Sequence, residues 1–222
     1  EHVGLTVFLL EMFNQFPEVL GVSKQDYMTS AKNGNTLAIE NMVNQAQNET
    51  VDVGVQVQSL KDNTLTFDVT VQNKTGHRFP SGVAFRRAFL EVLVTDKMGN
   101  IVWSSGRTNA VGVIVDAAGR PLKTEFLPDR NTFQPHYQQI TQQDQVQIYE
   151  ELTQNADFDF TTSFIHRVHD IKDNRLLPMG WRSSDHFKSM GEVLFEFMEA
   201  TDPEVHGDPD YEDQGPSFPG KD

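Results

Sequence analysis

Two hydrophobic periods divide the chain. Apolar side chains fall at Leu5, Phe8, Leu9, Met12, Phe13 and Phe16, the spacing of a helix with a wide apolar face. Pro17 bends or ends that helix, and Gly21 closes the segment. So many large side chains on so short a helix require a partner surface, part of which we expect upstream of Glu1. A second helix is predicted over 35–47, with Leu37, Ile39, Met42 and Val43 on its apolar side. At Val51 the period changes to two. VDVGVQVQ alternates, Lys61-Asp62-Asn63 turns, and LTFDVTVQ alternates again, which is the pattern of a β-hairpin. FLEVLVTD and IVWSSG around Met98-Gly99-Asn100 form a second hairpin. VGVIVD and RPLKTEF around Ala117-Ala118-Gly119 form a weaker third. QVQIYEEL and FTTSFIHRVHD add two strands.

Strands at roughly ten-residue intervals separated by turn residues predict an antiparallel, Ig-like β-sandwich of about seven to nine strands. The expected organisation is a helical segment over 1–50, the sandwich over 51–200 and an acidic tail over 201–222. Lys188 to Ala200 has helical spacing at Met190, Val193, Leu194, Phe197 and Met198, although VLFEF also reads as a strand. Beyond Thr201 the chain is acidic and rich in Gly and Pro, as a loop or disordered tail is.

Composition removes several function classes. The net charge of −14 over 222 residues argues against nucleic acid and anionic membrane surfaces as partners, because both reward basic patches. The chain has no cysteine. Disulfides, thiolate metal sites, cysteine nucleophiles and covalent attachment of haem c through C-x-x-C-H are therefore excluded for this polypeptide. No apolar run reaches the length of a membrane span. EHVGLTVFLLEMF lacks the basic start and small-residue cleavage site of a signal peptide, and reads as the interior of a longer protein.

One stretch stands apart chemically. Asn73 to Arg87, NKTGHRFPSGVAFRR, lies between two strand-like runs, and its Gly and Pro residues mark a reversal or crossover. It gathers His77, Arg78, Arg86 and Arg87 in an acidic protein. As a sandwich connection its arginines pair with carboxylates; as a functional loop it faces a ligand or neighbouring domain. In KDNRLLPMGW, Arg175 is expected to pair with a carboxylate and Leu176 and Leu177 to be buried, making the segment a structural closure. His166 and His169 point to opposite faces if they share a strand, so one zinc ion is not expected to bind both. H-E-x-x-H, G-x-S-x-G, the P-loop and G-x-G-x-x-G are all absent, leaving no enzymatic motif. In the tail, Asp208, Asp210 and Asp213, with Asp202 nearby, offer hard oxygen ligands of the kind calcium takes, without the EF-hand glycine and glutamate.

Four segments in order, HVGLTVFLLEMFNQF…LGV, NKTGHRFPSG…RRAFLEVLVTDKMGNIVWSSG, DQVQIYEE and KDNRLLPMGW, resemble the carboxy-terminal, haem-free portion of large bacterial multihaem c-type cytochromes. The resemblance runs from His2 to about Asp210. It implies a β-sandwich without catalytic activity, exported to the periplasm or cell surface, that packs on haem c carried by another segment or chain and serves a redox partner protein. In that setting His2 and His77 are the candidate axial imidazoles, and Arg78, Arg86 and Arg87 the candidate partners of haem propionates. The alternative is a calcium-dependent carbohydrate or adhesion module using the acidic loop, with Trp103 and Trp181 as candidate contacts. A hydrolase ranks third for want of any motif.

Overall fold

The computed structural model describes residues 3–21, 33–82 and 85–179. His2, Trp181, the 188–200 stretch, Asp202 and the tail with Asp208, Asp210 and Asp213 lie outside them. The described part is mainly antiparallel strand, with three helices. The chain divides into two compact units, Glu1–Gly76 and His77–Asp222, so the first hairpin groups with the helices.

In the first unit, α1 spans Val3–Gln15, α2 Pro17–Leu20 and α3 Gly34–Asn48. Pro17 opens α2 at its first position, and Gly21, left-handed at φ 65°, closes it with an N–H bond to the Pro17 carbonyl. Asn33 caps α3 by accepting from the Asn35 N–H (3.0 Å). The Asn14 side-chain oxygen of α1 accepts from the side-chain amides of Asn33 (2.7 Å) and Asn35 (3.3 Å), tying α1 to the start of α3. At the other end of α3, the Lys74 ammonium donates to the Asn48 carbonyl (2.7 Å), a cation where the helix dipole favours one.

β1 (Val51–Lys61) and β2 (Thr64–Asn73) pair antiparallel around Asp62 and Asn63, whose φ values of 49° and 60° make the tight mirror-image turn that matches strand twist. Val53, Val55 and Val57 sit opposite Val71, Val69 and Phe67, so one face of the ribbon is apolar and the other carries Asp52, Gln56, Asp68 and Gln72. A bulge between Val57 and Ser59 inserts a residue into β1 and brings Leu60 opposite Leu65. Alternation resumes on the same apolar face because the bulge shifts the period by one.

In the second unit, β3 (Arg87–Phe89), β6 (Ile148–Gln154) and β7 (His169–Asp173) form a three-stranded antiparallel sheet with β6 in the centre. β4 (Val92–Thr95) and β5 (Ile101–Ser105) form a hairpin. All residues of β6 are buried, so both of its faces are covered. The apolar core gathers Ile114, Leu122, Val146 and Ile148, with Phe89 against them.

Four connections in this unit share one construction. Asp96, Asn109, Asp116 and Asn155 each accept, through side-chain oxygen, from the backbone N–H groups two and four residues on. The residue three on is left-handed in every case: Gly99, Gly112, Gly119 and Phe158. Side-chain oxygens of Asp and Asn bonded to their own following backbone set these turns. Hydrogen bonds, led by those of the Asn100 side chain to Asp96 and the Arg120 N–H to Asp116, hold both carboxyls below the usual aspartate range. A depressed carboxyl adds stability that is present above its unfolded value of about 3.9 and lost as pH falls through the folded value. The amide resonances of Met98, Asn100, Ala118 and Arg120 are therefore expected to move together with midpoints below about pH 3.9. Midpoints at or above that value would remove these bonds from the account.

Two expected strands take other forms. Around Ala117-Ala118-Gly119 the pairing reduces to single bridges, Thr108 with Ile114 and Val115 with Pro121. KTEF instead forms a 3₁₀ turn, Lys123–Phe126. Pro121 has no N–H for a ladder, and the Ile114 N–H bonds the Glu125 carboxylate (2.9 Å) instead. FTTSFIHRVHD turns at Ser163, whose carbonyl accepts from the N–H groups of His166 and Arg167, so only its end enters β7.

Candidate functional site

The loop from His77 leads into the second unit beside β7. Phe79 and Leu176 exchange backbone hydrogen bonds (2.9 and 2.8 Å), which docks the loop on the segment following β7. Arg78 pairs with Asp173, and Arg175 takes the same carboxylate with its Nε (2.7 Å) and Nη2 (2.7 Å). Arg175 also approaches Glu151 (3.6 Å), which Arg167 contacts at 3.2 Å. Three guanidiniums and two carboxylates thus alternate along the β6–β7 edge. Burial disfavours the charge of Arg175, but Asp173 and Glu151 outweigh it, and its pKa is raised. Leu177 is buried and Leu176 half-buried. Leu177→Ala is expected to lower stability by about 2–5 kcal/mol as a cavity substitution, read by urea unfolding. A loss under about 0.5 kcal/mol, the size of a surface change, would contradict the packing.

Arg87 on β3 makes a fork-to-fork pair with Glu125 (2.7 and 2.8 Å), a charge-assisted geometry that raises its pKa through the Glu125 hydrogen bond. Glu125 closes this link through its bond from the Ile114 N–H. Arg86 donates to the Ser81 carbonyl (2.6 Å). His77 is exposed, with Nδ1 3.0 Å from the Arg78 carbonyl. A carbonyl can only accept, so Nδ1 carries the hydrogen in the neutral ring and the lone pair sits on Nε2, the tautomer suited to metal ligation. The three arginines each bond a partner of their own chain: Arg78 the Asp173 carboxylate, which it shares with Arg175, Arg86 the Ser81 carbonyl and Arg87 the Glu125 carboxylate.

Behind this edge lies a polar cluster that the sequence reading did not single out. Lys172 is 0% exposed, and its ammonium donates to the carbonyls of Gln134 (2.7 Å) and Ile148 (3.0 Å) and to the Glu150 carboxylate (2.9 Å). Asn174 accepts from the Glu150 N–H (3.0 Å) and donates to Ile148 (2.9 Å) and to His136 Nδ1 (3.1 Å). Gln147 donates to the same nitrogen (2.8 Å) while accepting from the Tyr137 N–H (2.8 Å). With two amides donating to Nδ1, the neutral His136 ring is protonated on Nε2. These contacts join β7 to β6 and tie the 134–137 loop to both, as a buried polar core does.

His169 lies on β7 and His166 in the turn before it. Trp103 is half-buried on β5 opposite Val94. Among the described residues no group of three or more His, Cys, Asp or Glu is placed to hold a metal ion, and no helix is long and apolar enough to cross a membrane. Compared with protein-family models, curated proteins and solved structures, the chain matches none.

Proposed function

We infer that the chain is a non-enzymatic accessory module of an exported bacterial multihaem c-type cytochrome, docking on a haem-bearing segment or chain through its first unit. The observation that carries this reading is the apolar surface left open there. None of the described side chains in α1, α2 or α3 is buried. Leu5, Phe8, Leu9 and Phe16 of the first helical stretch, and Val53, Val55, Val57 and Leu60 of β1, are exposed. An amphipathic helix and a two-stranded ribbon of this kind are marginal without a covering surface. Burying each such side chain contributes about 1.5–3 kcal/mol.

On this reading the strands after His77 close into a two-layer sandwich, which the complete burial of β6 supports. His77, and His2 outside the described residues, are the proposed axial imidazoles for haem c bound in trans. The family resemblance and the paired arginines favour a scaffold and docking role, with electrons carried by haems held elsewhere. Calcium binding at Asp208, Asp210 and Asp213 stands as the alternative proposal for a binding module.

The test uses the full-length gene product isolated from its native host. It should show a Soret band that follows this polypeptide through size exclusion. Phe8→Asp, which places a charge on the docking face, should weaken association with the haem-bearing part by roughly tenfold or more. A full-length product without a haem spectrum overturns the proposal.

A further inference from the structure

We propose that His136 is an acid-operated latch: protonation of its ring in mild acid releases the 136–137 segment from β6 and β7 while the rest of the second unit stays folded. The inference is independent of the docking role above.

The latch is set by two amides whose orientations are fixed by backbone groups. Gln147 turns its side-chain oxygen to the Tyr137 N–H (2.8 Å), which leaves Nε2 to donate to His136 Nδ1 (2.8 Å). Asn174 turns its oxygen to the Glu150 N–H (3.0 Å) and its Nδ2 to the Ile148 carbonyl (2.9 Å), and that Nδ2 also meets His136 Nδ1 at 3.1 Å. Rotating either amide by half a turn would set its NH₂ group against the backbone N–H it now accepts from. Gln147 and Asn174 are both buried, where an unmade hydrogen bond incurs the full desolvation penalty. Nδ1 is thus held as an acceptor. A neutral imidazole meets this with its hydrogen on Nε2, but an imidazolium carries N–H on both nitrogens and would point one of them at two donors.

The surroundings do not offset that clash. Among the described residues, the charged members of the cluster are Glu150 on β6 and Lys172 on β7, which pair with each other at 2.9 Å and sum to zero. The Tyr149 ring on β6 lies 6.5 Å from the imidazole, centroid to centroid, and tyrosine is neutral in acid. Burial, aided by the Asp144 carboxylate, pushes the phenol of the adjoining Tyr137 above its ordinary value.

Release is local because the neighbouring anchors do not depend on the ring. Lys172 keeps the Gln134 carbonyl (2.7 Å), and the Gln134 amide keeps the Asp144 carbonyl (2.9 Å). The Gln147 backbone stays held by the Leu90 N–H (3.1 Å). In the docked segment the ring is neutral, whereas in the released one it titrates as a free histidine, at about pH 6.5. Docking is therefore at full strength above that value, and the released form gains about tenfold for each pH unit below it.

The test is amide hydrogen exchange of the whole chain by NMR from about pH 7.5 to about pH 5, read as protection factors so that the pH dependence of exchange itself cancels. The Tyr137 N–H should keep its protection down to about pH 6.5 and lose about thirtyfold by about pH 5. The Leu90 N–H, bonded to the backbone of the same Gln147, should keep its protection throughout. His136→Gln presents an oxygen that accepts and does not titrate, so Tyr137 should then be equally protected across the range. If that variant does not fold, the comparison of Tyr137 with Leu90 in the unaltered chain decides alone. Tyr137 protection that is independent of pH, a parallel loss at Leu90, or the same fall in His136→Gln overturns the proposal.

Discussion

Lys172→Met is expected to lower the unfolding free energy by about 3–5 kcal/mol, the cost of breaking a buried ion pair from one side. The side chain is fully enclosed, and its ammonium serves two backbone carbonyls and the Glu150 carboxylate at once. Methionine fills much of the same volume, so the loss comes from polarity. It strands a carboxylate on the central strand and leaves the Gln134 and Ile148 carbonyls short of a donor, each group incurring its desolvation penalty. A double-mutant cycle separates these parts. Glu150→Leu alone strands the ammonium, whereas the pair Lys172→Met with Glu150→Leu removes both charges. The pair should therefore lose clearly less than the sum of the single losses. Additive losses, measured by urea unfolding, would show that the two side chains are not coupled.

The same residues mark where the sequence could be read and where it could not. Lys-Asp-Asn occurs twice. At Lys61-Asp62-Asn63 it lies between two alternating runs and forms the expected turn, with Asp62 and Asn63 left-handed. At Lys172-Asp173-Asn174 the same three residues end β7 and form the polar interior, with Lys172 and Asn174 fully buried. Nothing local distinguishes them. The difference lies in Glu150, Gln134 and Arg78, partners that reach the second tripeptide from far along the chain, whereas the first turns within its own hairpin. Hydrophobic period is a local property, so α1, α3, the two hairpins and β6 were legible. The turns at Gly99 and Gly119 were legible through glycine. The equivalent turn at Asn155 was hidden because Phe158 stands where the signal residue is expected. His77, Arg78 and Arg86 lie in the stretch that leads into β3, where Arg87 stands, but the pairing of Arg78 and Arg87 depended on Asp173 and Glu125, which no spacing rule connects to them.

Gly106→Ala should be the most damaging single substitution outside that cluster. Gly106 follows β5, where Ser105 faces Val92 across the hairpin and its hydroxyl bonds the Gln145 carbonyl (2.7 Å). Its φ of 74° already disfavours a side chain, at about 1–2 kcal/mol. The larger effect is contact: an added Cβ would sit 2.1 Å from the Leu90 carbonyl oxygen and 3.0 Å from its carbon. These are backbone atoms, which cannot swing aside as a flexible side chain can. Leu90 is itself tied to the central-strand segment through its N–H bond to the Gln147 carbonyl (3.1 Å). Relief therefore means moving the β3–β4 junction away from both β5 and the strand that carries the core. The expected loss exceeds about 3 kcal/mol, a large share of the roughly 5–15 kcal/mol that holds a domain together. Gly99→Ala is the matched control. Its φ is 85°, yet nothing lies within 4 Å of the new Cβ, so only the conformational cost of about 1–2 kcal/mol remains. The difference between the two variants in urea unfolding measures the steric part alone. If Gly106→Ala loses no more than Gly99→Ala, the close approach of the two backbones is not a feature of the folded protein.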